Sequence, residues 1–257
     1  MIMKQILKLV RKLLRPFAPA LLFMLDSAAY FCLALNRFVG WTYLRLWPIL
    51  GIHWYDHTFD YLLTPLSNRA AERGILANRY IEPGDAVLDV ACGDGSVSGN
   101  FCSRQASHVD AFDLDEKAIN HANRKYAKPN IAFFVADASR INFPLEKYDV
   151  ITCFALIEHL TPEDAGRLLQ KLGTYMKSDG VLIGSTLFDV FGANKKVHLN
   201  RFYSVQELEA FVASHFEEVV LWSSLSPNRV DFYFECRRPR IQAPSQFVNH
   251  CAEVISS

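Results

Sequence analysis

The order of apolar and polar residues separates the chain into two regions that follow different patterns. Between residues 81 and 237, short apolar runs alternate with amphipathic segments, which is typical of strands followed by helices in a parallel sheet. Five such runs, at 86–90, 109–113, 131–135, 148–154 and 180–186, precede two more at 219–222 and 231–236. The last two favour an antiparallel pair. The sequence therefore predicts an α/β fold with a seven-stranded, mostly parallel sheet and helices on both faces.

Side chains that cap helix N-termini occur where three of the predicted helices begin. These residues are Asp115, Thr161 and Ser204, and Thr161 is followed by Pro162, which is favoured at the first helical position. Because a capping side chain accepts a hydrogen bond from an otherwise unpaired backbone N–H, each residue predicts a helix that starts directly after it. Residues 223–229 are predicted to connect the last two strands.

The first 60 residues follow a different pattern. Residues 2–15 place apolar side chains at helical spacing opposite a basic face, which predicts a basic amphipathic helix that Pro16 ends. Residues 17–35 are almost wholly apolar apart from Asp26, and 38–61 are rich in tryptophan and tyrosine, which favour the headgroup zone of a bilayer. The predicted organisation is a helical arm over 1–60, a connecting helical segment over 61–79, a domain over 80–238 and a peripheral tail over 239–257.

The residues alone leave several interpretations of this arm open. A single membrane span at 17–35 is long enough, although Asp26 near its centre costs about 3 kcal/mol on insertion. The small residues at 27–29 resemble a signal-peptide cleavage site, and the lack of acidic residues before Asp26 also fits an organelle transit peptide. The arm could instead lie on, or dip into, the cytoplasmic face of a membrane, or pack on the domain as a helical layer.

Charge follows the same division of the chain. The 27 basic and 27 acidic residues give a net charge of zero, which argues against a general nucleic-acid binder. Up to Tyr55, however, seven basic residues and one acid give +6, so the rest of the chain carries −6. The six cysteines include no C-x-x-C pair, which argues against a disulfide framework or a zinc site and favours a reducing compartment.

A glycine-rich turn after the first predicted strand carries the clearest functional signal. The run Asp89-Val90-Ala91-Cys92-Gly93-Asp94-Gly95 leads from a strand into a helix, and its glycines allow a ligand to approach the backbone. Asp113 ends the second strand and Asp137 follows the third, where carboxylates can meet ribose hydroxyls and an adenine amino group. Three acids at successive strand ends suit a nucleoside without a pyrophosphate, and the loop lacks the full G-x-G-x-x-G spacing.

This ordered set, together with Phe154-x-x-x-Glu158-His159-Leu160, resembles the class I S-adenosylmethionine-dependent methyltransferases over about residues 80–237. The Glu-His-Leu form is similar to members that act on quinone precursors, other small molecules and glycans. The resemblance implies a Rossmann-like sheet and S-adenosylmethionine as the cofactor. The residues that it implies for cofactor binding are Asp89, Ala91, Gly93, Gly95, Asp113, Leu114, Asp137, Ala138 and Phe154.

Methyl transfer to a hydroxyl needs a base, and two histidines are candidate catalytic residues. His159 lies near the end of the fourth strand and His198 follows the fifth, and histidine titrates near neutral pH. Glu158, Arg201 and Tyr203 are predicted to contact the substrate, although Glu158 could instead hold the cofactor amine. The sequence contains no recognisable set of metal ligands.

These features predict S-adenosylmethionine-dependent methyl transfer to a small-molecule or lipid-linked acceptor: a quinone precursor, an isoprenoid or a glycan. Because this cofactor is made inside the cell, we expect a cytoplasmic domain held at the inner membrane face through residues 1–55. Two alternatives are a non-catalytic cofactor-binding module of the same fold and an NAD-dependent oxidoreductase, which the glycine spacing disfavours. The sequence predicts no nucleic-acid partner and leaves the oligomeric state open.

Overall fold

A computed structural model describes residues 15–50, 69–187, 198–226 and 229–240, which fall into two compact units. The described part of the N-terminal unit is a 3-10 turn, Arg15–Phe17, followed by helix α1, Ala18–Leu50. Residues 2–14 of the amphipathic helix predicted over 2–15, and the aromatic residues beyond Leu50, lie outside the described residues.

Helix α1 exposes its apolar side chains along the part whose side chains are described. Phe23 and Phe31, for example, are 73% and 69% exposed. The 25-residue stretch Arg15–Val39 has a mean hydropathy of 1.7, and none of it is buried. By length and composition alone, this stretch could span the hydrocarbon core of a bilayer. A signal sequence near the N-terminus passes the same test.

The C-terminal unit alternates strands and helices in the predicted order. Its elements are α2 Arg69–Tyr80, β1 Ala86–Val90, α3 Ser96–Asn100, β2 His108–Asp113, α4 Glu116–Tyr126, β3 Ile131–Val135, β4 Tyr148–Phe154, α5 Pro162–Tyr175, β5 Met176–Leu187, α6 Val205–Ala213, β6 Phe216–Ser226 and β7 Arg229–Pro239. Turns of 3-10 helix follow α3 at Cys102–Arg104 and β4 at Ile157–His159.

The strands form one seven-stranded sheet in the order β3-β2-β1-β4-β5-β7-β6. Strands β1 to β5 pair in parallel, whereas β7 is antiparallel to both of its neighbours. This arrangement confirms the predicted Rossmann-like, mostly parallel sheet. The chain reverses its direction of travel across the sheet between β1 and β4, and ligands of such sheets bind in the crevice at this switch point.

The three predicted caps form. The backbone amides of Lys117 and Ala118 donate to Asp115, at 2.8 and 3.3 Å. Thr161 and Ser204 each accept a hydrogen bond from the amide three residues further on, at 3.1 Å in both cases. These bonds satisfy backbone donors that have no partner within their own helix, and they explain why α4, α5 and α6 begin where they do.

Three predicted boundaries were wrong. Strand β5 begins at Met176 rather than Gly180, because its register with β4 shifts and accommodates the polar residues 177–180. The predicted connection 223–229 is largely strand, since β6 and β7 pair from Phe216 to Ser226 and the serines there occupy an edge strand. The helix after β1, which the sequence predicts from about Ser96 to Arg104, ends at Asn100 and is followed by the 3-10 turn at Cys102–Arg104.

Candidate active site

A cavity of about 400 Å³ lies at the carboxyl ends of β1 to β4, where the sheet order reverses. This volume falls within the usual range for small-molecule sites. The structure brings eight of the nine predicted cofactor-binding residues into its wall: Asp89, Ala91, Gly93, Asp113, Leu114, Asp137, Ala138 and Phe154. His159 also lines the cavity. Gly95, the ninth, does not.

The glycine loop after β1 depends on backbone angles that most residues avoid. Gly93 and Gly95 have φ values of +56° and +78°. A Cβ atom on Gly93 would meet no atom within 4 Å, whereas one on Gly95 would lie 2.7 Å from both Ala122 and Phe133. Gly93 therefore leaves open space beside the cavity, and Gly95 allows α3 to pack closely against α4 and β3.

Asp113 holds this loop in place. Its Oδ2 accepts a hydrogen bond from the amide of Gly93 at 2.8 Å, and its Oδ1 accepts one from the amide of Asp115 at 2.9 Å. Each carboxylate oxygen has a second lone pair, so Asp113 can also accept two ribose hydroxyls. The position of this carboxylate, with the open space at Gly93, fits the nucleoside of S-adenosylmethionine.

Asp89 holds the glycine loop from its buried side. It is buried, and its two oxygens accept hydrogen bonds from Ser98 on α3 and from Thr152 on β4, the latter at 2.7 Å. Burial raises the pKa of Asp89, and the two hydrogen bonds oppose that effect. Because both oxygens are occupied by the protein, the geometry supports a structural role for this side chain at the cavity wall.

Asp137 and its neighbours form the wall beyond β3. Its Oδ1 accepts hydrogen bonds from the amide and hydroxyl of Ser139, at 2.9 and 2.6 Å, and its Oδ2 lies 3.1 Å from Nε of Arg140. The hydrogen bond from the Ser139 hydroxyl lowers the pKa of Asp137. Leu114, which is 69% exposed, adds an apolar surface on which a purine can lie.

The chain leaves β4 through a second unusual backbone position. Ala155 has a φ of +53°, although it is not a glycine, and its amide donates to the carbonyl of Ser185 at 2.9 Å. Positive φ values at non-glycine residues concentrate at functional sites. The turn that follows brings His159 to the cavity, with its ring centroid 5.1 Å from that of His198.

The predicted substrate residues lie behind or beside the cavity wall rather than in it. Glu158 is buried, and its carbonyl accepts hydrogen bonds from the amides of Leu199 and Asn200 at 2.8 and 3.2 Å. Burial raises the pKa of the Glu158 carboxyl group. Arg201 donates from Nε to the carbonyl of His198 at 3.1 Å, and Tyr203 is exposed. Residues 188–197, between β5 and His198, lie outside the described residues.

Sequence reasoning missed two lining residues on α2, Ala70 and Arg73, which come before the first strand and belong to no motif. It also gave no sign that Ala155 adopts a positive φ. Within the described ranges, no group of three or more His, Cys, Asp or Glu side chains is arranged to hold a metal ion.

Comparison with known proteins agrees with this geometry. Residues 87–180 match a family model described as a methyltransferase domain. A ubiquinone biosynthesis O-methyltransferase of Neisseria meningitidis is 28% identical over 133 residues, which are 50% of this chain and 53% of that protein. One of Coxiella burnetii is 30% identical over 118 residues, 42% of this chain and 48% of that protein. The chain thus spans about half the length of the curated relatives it matches.

Two solved structures show how widely the fold is used. The N-methyltransferase NodS of Bradyrhizobium japonicum, in complex with S-adenosylhomocysteine, is 14% identical, with a TM-score of 0.59 over 72% of this chain and 93% of NodS. The [4+2]-cyclase SpnF is 15% identical, with a TM-score of 0.56 over 79% and 97% of the two chains. These likenesses establish the fold. Residues 87–180, which include the glycine loop, are therefore similar to a methyltransferase domain.

Proposed function

We propose that this protein transfers a methyl group from S-adenosylmethionine to a hydroxyl of a small-molecule or lipid-linked acceptor, at the cytoplasmic face of a membrane. The observation that carries the proposal is the hydrogen bond between Asp113 and the amide of Gly93 at the edge of a 400 Å³ cavity. It fixes a carboxylate and a glycine loop where a nucleoside with a free ribose can bind.

The cofactor supplies a methyl group that its sulfonium already activates, so the protein mainly has to align the acceptor oxygen with it. His159 lines the cavity, and its imidazole takes the hydroxyl proton as the oxygen attacks. His198 packs edge-on against His159 and restricts the orientation of that ring. Phe154 supports the apolar part of the cofactor beside the β4 end.

The acceptor is inferred from the relatives. Two of them are named as ubiquinone biosynthesis O-methyltransferases, and a phenolic quinone precursor with an isoprenoid tail is both a hydroxyl acceptor and a lipid. The exposed apolar side chains of α1 support a membrane location, because such a surface is stabilised by contact with lipid.

Incubation with methyl-labelled S-adenosylmethionine and a total membrane extract tests the reaction and its acceptor together. We expect label in the organic-solvent fraction, as an alkali-stable methyl ether. Label confined to soluble metabolites would contradict a lipid-linked acceptor, and no label above a heat-killed sample would contradict methyl transfer. The variant His159→Gln should lose most of the label while binding the cofactor normally.

Deleting residues 1–35 tests the membrane location. The deleted protein should move from the membrane pellet to the supernatant and still bind S-adenosylhomocysteine. If it stays in the pellet and is released only by detergent, the arm is not what holds the protein at the membrane.

A further inference from the structure

Helix α1 carries two opposite charges on one of its faces. Asp26 and Arg37 are both exposed, and they lie eleven residues apart in the sequence. Eleven residues complete three helical turns with about 20° left over, so the two side chains project from the same face. Their separation along the helix axis is about 16 Å, which is too far for Asp26 and Arg37 of one helix to pair with each other.

Both charges are available to a partner. Asp26 is the sole acidic residue between Arg15 and Leu50 in the sequence. Within the described residues, neither Asp26 nor Arg37 forms a salt bridge with another side chain. Charged side chains in an apolar helix almost always pair with another charge or face water. A surface that offers the complementary charges at the same spacing would therefore stabilise this face of α1.

The opposite face of α1 differs from this one, because it carries no charge over residues 18–39. It presents large apolar side chains, all of them exposed: Leu21, Met24, Phe31, Leu35 and Phe38. An apolar face of this kind is suited to lipid, whereas polar and charged side chains hold one helix against another. The two faces of α1 are thus suited to two different neighbours.

A second copy of α1 is complementary to the charged face when it runs in the opposite direction. In a parallel pair, Asp26 would face Asp26 and Arg37 would face Arg37, so like charges would repel. In an antiparallel pair related by a two-fold axis, each Asp26 lies beside Arg37 of the other copy, and the contact occurs twice. The charges of α1 therefore favour the antiparallel direction.

This pairing also uses most of the helix. In the register that joins Asp26 to Arg37, the two copies of α1 overlap over residues 18–45. Tyr30 of one copy then faces Leu33 of the other, midway between the two ion pairs. Arg15 lies eleven residues on the other side of Asp26, but pairing with Arg15 would overlap only residues 18–23 of the helix. Arg37 is therefore the partner that a long contact supports.

We propose that two copies of this protein associate through antiparallel α1 helices, which reciprocal ion pairs between Asp26 and Arg37 hold in register. The partner is a second copy of this chain, and the apolar face of α1 stays available to lipid. The inference goes beyond the proposed function and does not depend on it, because it concerns α1 alone.

Sedimentation equilibrium of the full chain in density-matched detergent micelles tests the proposal. We expect the unaltered protein to form dimers. Asp26→Arg and Arg37→Asp each place like charges together at both contacts, so each should raise the dimer dissociation constant by about 10- to 100-fold. The double variant restores opposite charges in exchanged positions and should return this constant to within about threefold of that of the unaltered protein.

Met24→Arg is the control, because it adds a charge on the opposite face of α1, and it should leave the dissociation constant unchanged. Far-ultraviolet circular dichroism should be the same for all of these variants, since each changes only an exposed side chain. An unaltered protein that stays monomeric, or single variants that dimerise normally, would overturn the proposal. A double variant that dimerises as weakly as Asp26→Arg would also overturn it, because the loss would then not come from the pairing of these two residues.

Discussion

Helix α1 and the α/β domain both carry large apolar side chains, but they place them in opposite environments. Phe23 in α1 is 73% exposed, whereas Leu169 on α5 and Ile183 on β5 are completely buried. The arm is also basic and the rest of the chain acidic, although the whole chain has no net charge. The difference indicates that the domain is stabilised by its own core, whereas the described part of α1 forms no core of its own.

A lysine that replaces a large apolar residue should have different consequences in the two regions. Leu169→Lys buries an unpaired charge and should lower the free energy of unfolding by more than about 4 kcal/mol, because the core cannot solvate it. Phe23→Lys should leave unfolding of the domain unchanged but weaken binding to lipid vesicles by about 100-fold, or roughly 3 kcal/mol. Denaturant unfolding and vesicle sedimentation measure the two effects. Normal vesicle binding by Phe23→Lys would show that the exposed face of α1 does not contact lipid.

Substitutions at two glycines in the domain distinguish the free-energy cost of close packing from the cost of backbone strain. Gly95→Ala brings a methyl group against Ala122 and Phe133 at a positive φ, and should cost about 3 kcal/mol of unfolding free energy. Gly84→Ala meets no atom within 4 Å at a φ of +104°, so it should cost only the strain, about 1 kcal/mol. Denaturant melts compare them. Equal losses would mean that α3 does not depend on close contact at Gly95.

Asp113 should affect the site more than the stability of the domain. Asp113→Asn keeps the shape of the side chain, but its amide offers two donors where the carboxylate has only acceptors. It should therefore weaken the bond to Gly93 and lower S-adenosylhomocysteine affinity by about 30-fold. Glu116→Gln, on the exposed first turn of α4, is the control and should bind normally. An unchanged affinity in Asp113→Asn would show that the ribose does not bind at Asp113.

Substitution of Glu158 should give the smallest change, a pH-dependent change in the free energy of unfolding. Burial raises its pKa above the usual value near 4.5, so the folded state loses stability as the pH rises toward and through that raised value. Glu158→Gln removes this loss and should raise the unfolding free energy at pH 8 by about 1 kcal/mol, with a smaller gain at pH 5. Urea unfolding at the two pH values measures it. A gain that is larger at pH 5 would contradict a raised pKa.

Local patterns predicted most of the fold and the outline of the site. Capping residues such as Asp115 and Ser204 act within a few residues of themselves, so the sequence indicates them directly. The position of Asp113 at a strand end was equally readable. Other features depend on contacts between distant segments: the positive φ of Ala155 and the approach of Arg73 to Phe154 have no local signal.

The roles of individual residues also changed with the three-dimensional contacts. Gly95 belongs to the cofactor motif in sequence, but it packs against α4 and β3 and does not line the cavity. The extra length of β6 and β7 was hidden because serines in an edge strand resemble a turn in composition. Sequence patterns therefore indicated most of the residues that line the cavity, and tertiary packing determined which of them do so.

Calorimetric titration of the full chain with S-adenosylhomocysteine, and separately with NAD, distinguishes a site for S-adenosylmethionine from a site for a dinucleotide. We expect saturable, one-to-one binding of S-adenosylhomocysteine and no binding heat with NAD, because Asp113 and Asp137 line the described cavity and their negative charges would repel a pyrophosphate. A correctly folded protein that gives no heat with S-adenosylhomocysteine, or that binds NAD instead, would contradict it.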